Sequence, residues 1–146
     1  MMGKSNLKKW FYCYCVVVIV ILIIIALENG SVRLHIGNCF YAIKDYDNAL
    51  NWYYKASERS NALAKNKIGY MYLNGEGVES DGLQAAIWYR LAAECGDAES
   101  QLMVGKFYEQ GEYVERDDEL AEYWYRQAAA QGFELATERM SVISDE

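Results

Sequence analysis

The sequence predicts an all-α protein, a stack of helical hairpins behind an apolar N-terminal segment. Three observations predict it. Residues 61–96 laid over 97–132 are identical at 15 of 36 positions, and a period of that length marks a repeat array. Within each unit, apolar residues recur three and four apart, the spacing of an amphipathic helix. Proline is absent from all 146 residues, so no helix is broken from within.

The first element is the segment 10–27, from Trp10 to Leu27, which is 18 residues without a charge. At ~1.5 Å per residue a helix of that length spans ~27 Å, enough for a hydrocarbon core. Trp10, Phe11, Tyr12 and Tyr14 suit the headgroup region at one end. Lys4, Lys8 and Lys9 precede the run and Glu28 follows it. The positive-inside rule then gives a cytoplasmic tail over 1–9 and a single transmembrane signal anchor over 10–27. The repeat domain is expected in the periplasm or outside the cell. The alternatives are a cleaved signal peptide, for which the site after Ala26 is poor, and a buried core helix, for which the run lacks a polar face. A lipoprotein anchor does not fit, because Cys13 and Cys15 precede the apolar run.

The repeats follow. Each unit reads as two helices. The first carries Gly and Tyr three apart (Gly69 and Tyr72, Gly105 and Tyr108). The glycine lets a neighbouring helix approach closely, at a propensity cost of about 1 kcal/mol. A loop follows: Gly75-Glu76-Gly77-Val78 in one unit, Gly111-Glu112-Tyr113-Val114 in the next. The second helix opens at Asp81 or Asp117, good N-cap types, and Gln84 gives capping-box spacing. Ala85, Trp88 and Ala92 form its expected buried stripe, and Gly96 and Gly132 end it with left-handed residues. Ala49, Trp52, Tyr53 and Ala56 carry the 36-residue offset backwards, but Gly37 to Gly69 is 32. The first unit, residues 31–60, is therefore four residues shorter, in the loop. Residues 133–146 add a capping helix and tail. Leu135, Ala136, Met140 and Ile143 cover the end of the stack.

The pattern resembles the Sel-one-like repeat family, close relatives of tetratricopeptide repeats. Residues 61–96 carry the motif through Ile68-Gly69, Tyr72, Gly75, Gly77-Val78, Asp81, Ala85, Trp88-Tyr89, Ala92-Ala93 and Gly96. Residues 97–132 match except at Tyr113, where the motif has glycine. If that glycine takes positive φ, the third loop must bend differently. Residues 31–60 look more like a tetratricopeptide unit, through Gly37, Tyr41, Tyr46, Ala49, Tyr53 and Ala56. The resemblance implies a right-handed α-solenoid of three helix-turn-helix repeats that binds proteins and is not an enzyme.

Charge narrows the function. The chain carries −7, of which residues 1–27 hold +3, leaving −10 on the remainder. Nucleic-acid binding needs basic surface and is not expected. Catalytic signals are weak. The one histidine, His35, has Cys39 at i+4 but no third group to orient it, so it reads as a surface histidine beside a buried cysteine. Cys39 and Cys95 lie in different repeats, and two buried thiols are expected rather than a disulfide. Asp45-x-Asp47-Asn48 lacks the Gly and Glu of a calcium loop, and Gly75-x-Gly77 lacks the Lys of a phosphate loop. Asn29-Gly30-Ser31 fits a glycosylation sequon, close to the apolar run. No metal, cofactor or small-molecule substrate is expected.

In related solenoids the first helices line a concave groove. The resemblance assigns a protein or peptide partner to Leu34, Asn38, Tyr41, Asn66, Tyr70, Leu102, Lys106 and Glu109. The expected function is a membrane-anchored binding or scaffolding module whose acidic body favours a basic partner. The alternatives are a periplasmic stoichiometric inhibitor of a toxin, an immunity protein, and a secreted hydrolase of the β-lactam-binding type.

Overall fold

The structure is a computed structural model that describes the backbone of residues 16–25 and 29–144 and side chains up to residue 140. The predicted tail over 1–9, and residues 10–15 and 26–27 of the predicted anchor, lie outside the described residues. Eight helices are seen there: α1 (Val16–Ile25), α2 (Gly30–Ala42), α3 (Tyr46–Ser57), α4 (Ala62–Asn74), α5 (Gly82–Glu94), α6 (Ala98–Gln110), α7 (Asp118–Ala129) and α8 (Glu134–Ser144). No strand occurs among the described residues. No single described helix is long and apolar enough to cross a membrane.

The helix starts are set by short polar side chains. Asn61, Asp81, Asp97 and Asp117 each accept from the backbone N–H three residues on, at 2.9–3.0 Å. Each such cap is worth about 1 kcal/mol. The capping box expected at Gln84 is replaced. The Asp81 N–H donates to the Tyr72 carbonyl (2.9 Å), and the Asp117 N–H to that of Tyr108 (3.0 Å), which closes each loop onto its first helix. Gly96 and Gly132 take the expected positive φ of 89°.

Helices α2/α3, α4/α5 and α6/α7 form hairpins, and each leans on the next through α3 with α4, α5 with α6, and α7 with α8. The apolar clusters straddle these junctions. Ala49, Leu50 and Tyr53 meet Ile68 and Met71; Ala85, Ala86, Tyr89 and Ala93 meet Val104 and Phe107; Ala121, Tyr125 and Ala128 meet Leu102 and Ala136. A unit this short hides its apolar face only against a neighbour, so stability is shared between adjacent repeats. Ala64, Ser100 and Ala136, each 36 apart, are all fully buried. Helix α8 thus takes the place of a first helix in a fourth unit.

The hairpins close on glycine. A β-carbon on Gly37, Gly69 or Gly105 would lie 2.6, 3.0 or 2.6 Å from the ring of Tyr53, Tyr89 or Tyr125. These tyrosines are at most 3% exposed. The tryptophan before each of them, expected as core, is only half-buried. The alanines of the expected stripe, Ala85 and Ala92, are fully buried, but the aromatic that joins them is the tyrosine, because a phenol suits the position better than an indole. Its ring lies on the glycine and its hydroxyl reaches the polar margin. Tyr53 donates to Asn38 Oδ1 (2.9 Å) and Tyr125 to Glu109 Oε2 (2.6 Å).

The loops show a second departure. Gly77 has φ of 72° and Tyr113 has φ of 64°. The third loop therefore keeps the same left-handed bend, although it has no glycine there.

Candidate protein-binding surface

The side of each first helix opposite its glycine is left uncovered. On α4, Leu63, Lys67, Tyr70 and Asn74 follow at spacings of 4, 3 and 4, which keeps them on one face. Leu63 is 53% exposed and Tyr70 42%. Gly69 faces the other way, against α5. The equivalent positions are Ser31, His35, Asn38 and Ala42 on α2, and Glu99, Met103, Lys106 and Gln110 on α6. All are exposed or half-buried. Three parallel rows of four side chains thus make one inner face.

Of the eight residues assigned by resemblance, Asn38, Tyr70 and Lys106 lie on this face. Leu34, Asn66 and Leu102, three before each glycine, do not. A residue at i−3 sits within a turn of the glycine on the same side, so it follows the glycine into the packing. Leu34 packs against the first apolar cluster and Leu102 is buried in the third. Asn66 is 4% exposed, and its Nδ2 donates to Asp97 Oδ2 and Ser100 Oγ, both at 3.0 Å. These two buried residues are structural and are not open to a partner. Tyr41 and Glu109, four after the glycine, are half-buried at the loop end of their helices. Tyr41 donates to Glu76 Oε2 (2.7 Å); burial first, then this carboxylate, pushes its phenol above the ordinary tyrosine range. Glu109 accepts from Tyr125 and lies 3.6 Å from Arg139. Leu63, Lys67 and Asn74 were not singled out in the sequence. The 4-3-4 spacing opposite the glycine is the signal that finds them.

The acidic charge lies elsewhere. The turns between first and second helices, with the helix starts that follow, hold Lys44, Asp45 and Asp47; Glu76, Glu79 and Asp81; and Glu112, Glu115, Asp117, Asp118 and Glu119 against Arg116. That is net −8 along one edge of the stack. The inner face carries Lys67 and Lys106 against Glu99. The body is acidic, but its groove is not.

Both thiols expected to be buried, Cys39 and Cys95, are free and exposed. Cys39 points away from the Gly37 side of α2, and Cys95 caps the end of α5, where its Sγ accepts from Lys65 Nζ (3.1 Å). His35 is exposed on α2. Among the described residues no three His, Cys, Asp or Glu side chains converge as a metal ion requires.

The family profile described as Sel1 repeat matches residues 33–61, 62–97 and 98–133. Among solved structures, a Sel1 repeat protein from Oxalobacter formigenes is 29% identical with a TM-score of 0.74, over 79% of this chain and 49% of that one. The protective antigen c5321 of uropathogenic Escherichia coli, which displays an SLR fold, is 33% identical with a TM-score of 0.77, over 80% of this chain and 26% of that one. Cysteine rich protein B of Helicobacter pylori is 26% identical with a TM-score of 0.59, over 62% of this chain and 68% of that one. The chain thus spans about half of the first of these and a quarter of the second. No curated protein matches it. With all three hairpins matched by the repeat profile, the chain belongs to the Sel1 repeat family.

Proposed function

We propose that this protein is a membrane-anchored module that docks a protein or peptide partner on the inner face of its α-solenoid and catalyses nothing itself. Sel1 repeat proteins are generally protein-interaction modules. The observation that carries the reading is the set of three aligned rows on α2, α4 and α6, with Tyr70 at the centre. Tyrosine supplies rigid amphipathic area at low entropic cost, and Asn38 and Asn74 carry amides that can bond a peptide backbone.

Two features support the anchor. Nine of the ten apolar side chains of α1 are 43–59% exposed, so that helix lacks a packed partner among the described residues. Three lysines and no acid precede it within residues 1–15. The tail over 1–9 is then cytoplasmic and the solenoid periplasmic or extracellular.

A photo-crosslinking side chain placed at Tyr70 in the full chain, expressed in cells, tests the docking. It should trap a partner that the same probe at Ile87, on the outer face of α5, does not. Equal trapping at both positions, or none at Tyr70, overturns the reading. A reporter fused after Glu146 should be active only outside the cytoplasm; cytoplasmic activity refutes the orientation.

A further inference from the structure

We propose that the inner face selects an acidic segment of the partner, with its carboxylates set against Lys67 and Lys106 and an apolar side chain resting on Tyr70. This rests on the docking reading above and adds the chemistry of the ligand.

The charge pattern carries it. Arg33, Arg90, Arg116, Arg126 and Arg139 each pair with a carboxylate of the same chain. Lys44, Lys55, Arg59, Lys65, Lys67 and Lys106 pair with no carboxylate among the described residues, and of these Lys67 and Lys106 are the two on the inner face. Lys67 lies one turn from Tyr70 on α4, and Lys106 holds the position of Tyr70 on α6. Glu109, a turn from Lys106 on α6, is already engaged by Tyr125 and Arg139. Glu99, the remaining acid on this face, lies two turns from Lys106 along α6.

The rest of the surface sharpens the choice. The edge that bounds the groove carries net −8, so an acidic segment is repelled there and accepted only inside. That combination of attraction at the site and repulsion beside it gives specificity. A basic segment meets the opposite situation and is drawn to the edge, away from Tyr70. Both lysines are partly exposed, so the attraction is screened by salt.

The test uses the full chain in detergent micelles as bait for a phage-displayed library of random 12-residue peptides. Enriched peptides are then made with a fluorophore and titrated by anisotropy at low and high salt. The expected result is enrichment of net-negative peptides. Their affinity should fall about tenfold or more in the K67E/K106E variant, and fall with salt in the parent. Tyr70→Ala should weaken the same peptides, while Arg90→Glu, on the outer helix α5, should not. Circular dichroism of each variant confirms that the fold is kept. Enrichment of neutral or basic peptides that still depend on Tyr70 overturns the acidic assignment and leaves groove docking standing. Enriched peptides that ignore both Tyr70 and the lysines overturn both, as does a library that yields no binder.

Discussion

The ring of Tyr113 lies where a β-carbon on Gly82 would be: such an atom would sit 2.0 Å from Cε1 of that ring. Thirty-six residues earlier, Gly77 also lies against a tyrosine, but against its main chain: a β-carbon on Gly77 would fall 2.9 Å from the Tyr46 backbone. Tyr113 is the repeat counterpart of Gly77, and Gly82 that of Tyr46. Both junctions therefore set a tyrosine against a glycine, with the two positions exchanged. The tyrosine has moved to the loop and the glycine to the helix start. Tyr113 accepts a φ of 64°, unfavourable for a residue with a side chain, and its ring gains an edge-to-face contact with Phe107 at 5.5 Å.

The exchange predicts a coupled pair. Gly82→Ala alone forces the Tyr113 ring aside and should destabilise by about 1–3 kcal/mol, the range for overpacking. Tyr113→Gly alone loses the ring packing but relieves about 1 kcal/mol of left-handed strain. In the double variant the alanine meets open space. Urea unfolding of the four proteins should give a favourable coupling of about 1–3 kcal/mol. Additive effects would show that the two residues do not touch.

The buried aromatic of each hairpin is the tyrosine, which reverses the expected ranking of Trp88 and Tyr89. Tyr89 is 3% exposed on Gly69, while Trp88 is half-buried with an edge-to-face contact to Tyr54 at 5.5 Å. Tyr89→Ala should cost about 3–5 kcal/mol, the range for a buried aromatic, and Trp88→Ala clearly less. Thermal unfolding of the two variants side by side checks this. An equal or larger loss for Trp88→Ala would return the tryptophan to the core, where the sequence placed it.

The misreading has a physical cause. The helices and their pairing were legible because the 36-residue offset, the Asp caps and the glycines are local signals. In the second helix, Trp88 and Tyr89 are adjacent and both recur, so periodicity alone cannot say which faces inward. The glycine decides it, because it accepts a ring against its backbone, and that partner lies 20 residues away in sequence. The inner face was half legible for the same reason. Positions one after the glycine turn away from the packed hairpin, whereas positions three before it turn into it, which is why Tyr70 lies open and Asn66 is buried. The loop was misjudged because Tyr113 pays for its backbone through a contact with the preceding repeat.

Asn66 gives the third prediction. Buried polar groups must be bonded, and this amide spans two repeats to reach Asp97 and Ser100. Asn66→Ala removes that bridge and should cost about 1–3 kcal/mol. The effect should be confined to the junction of α4 with α6. Hydrogen exchange would report it as faster opening of α6 to α8, with α2 and α3 unchanged. A uniform rise in exchange, or none, would contradict a local bridge.

The thiols give a fourth. Cys39 and Cys95 are exposed, so both should react with a maleimide in the native full chain without denaturant. Cys39→Ser and Cys95→Ser should each remove one labelled site and leave unfolding unchanged, because neither side chain fills the core. Protection of either thiol until unfolding would return it to the interior.

Alkaline pH gives the last. Burial, followed by the field of Glu76, pushes Tyr53 up to about 12. Tyr41, Tyr54, Tyr89 and Tyr125 are raised in the same direction, with burial the leading cause in each. Unfolded tyrosine ionises near pH ~10. Between that pH and the folded value the native state keeps protons that the unfolded state has lost. Stability is therefore fully present below pH ~10 and falls as pH rises through about 12. Absorbance of phenolate should rise in two stages. In the later stage the buried set ionises together with loss of helical circular dichroism. Tyr53→Phe removes one of these groups and its bond to Asn38, so it should lower stability at neutral pH and flatten the alkaline decline. A single phenolate transition near pH ~10 with helices intact would show that the tyrosines do not occupy the hairpin core.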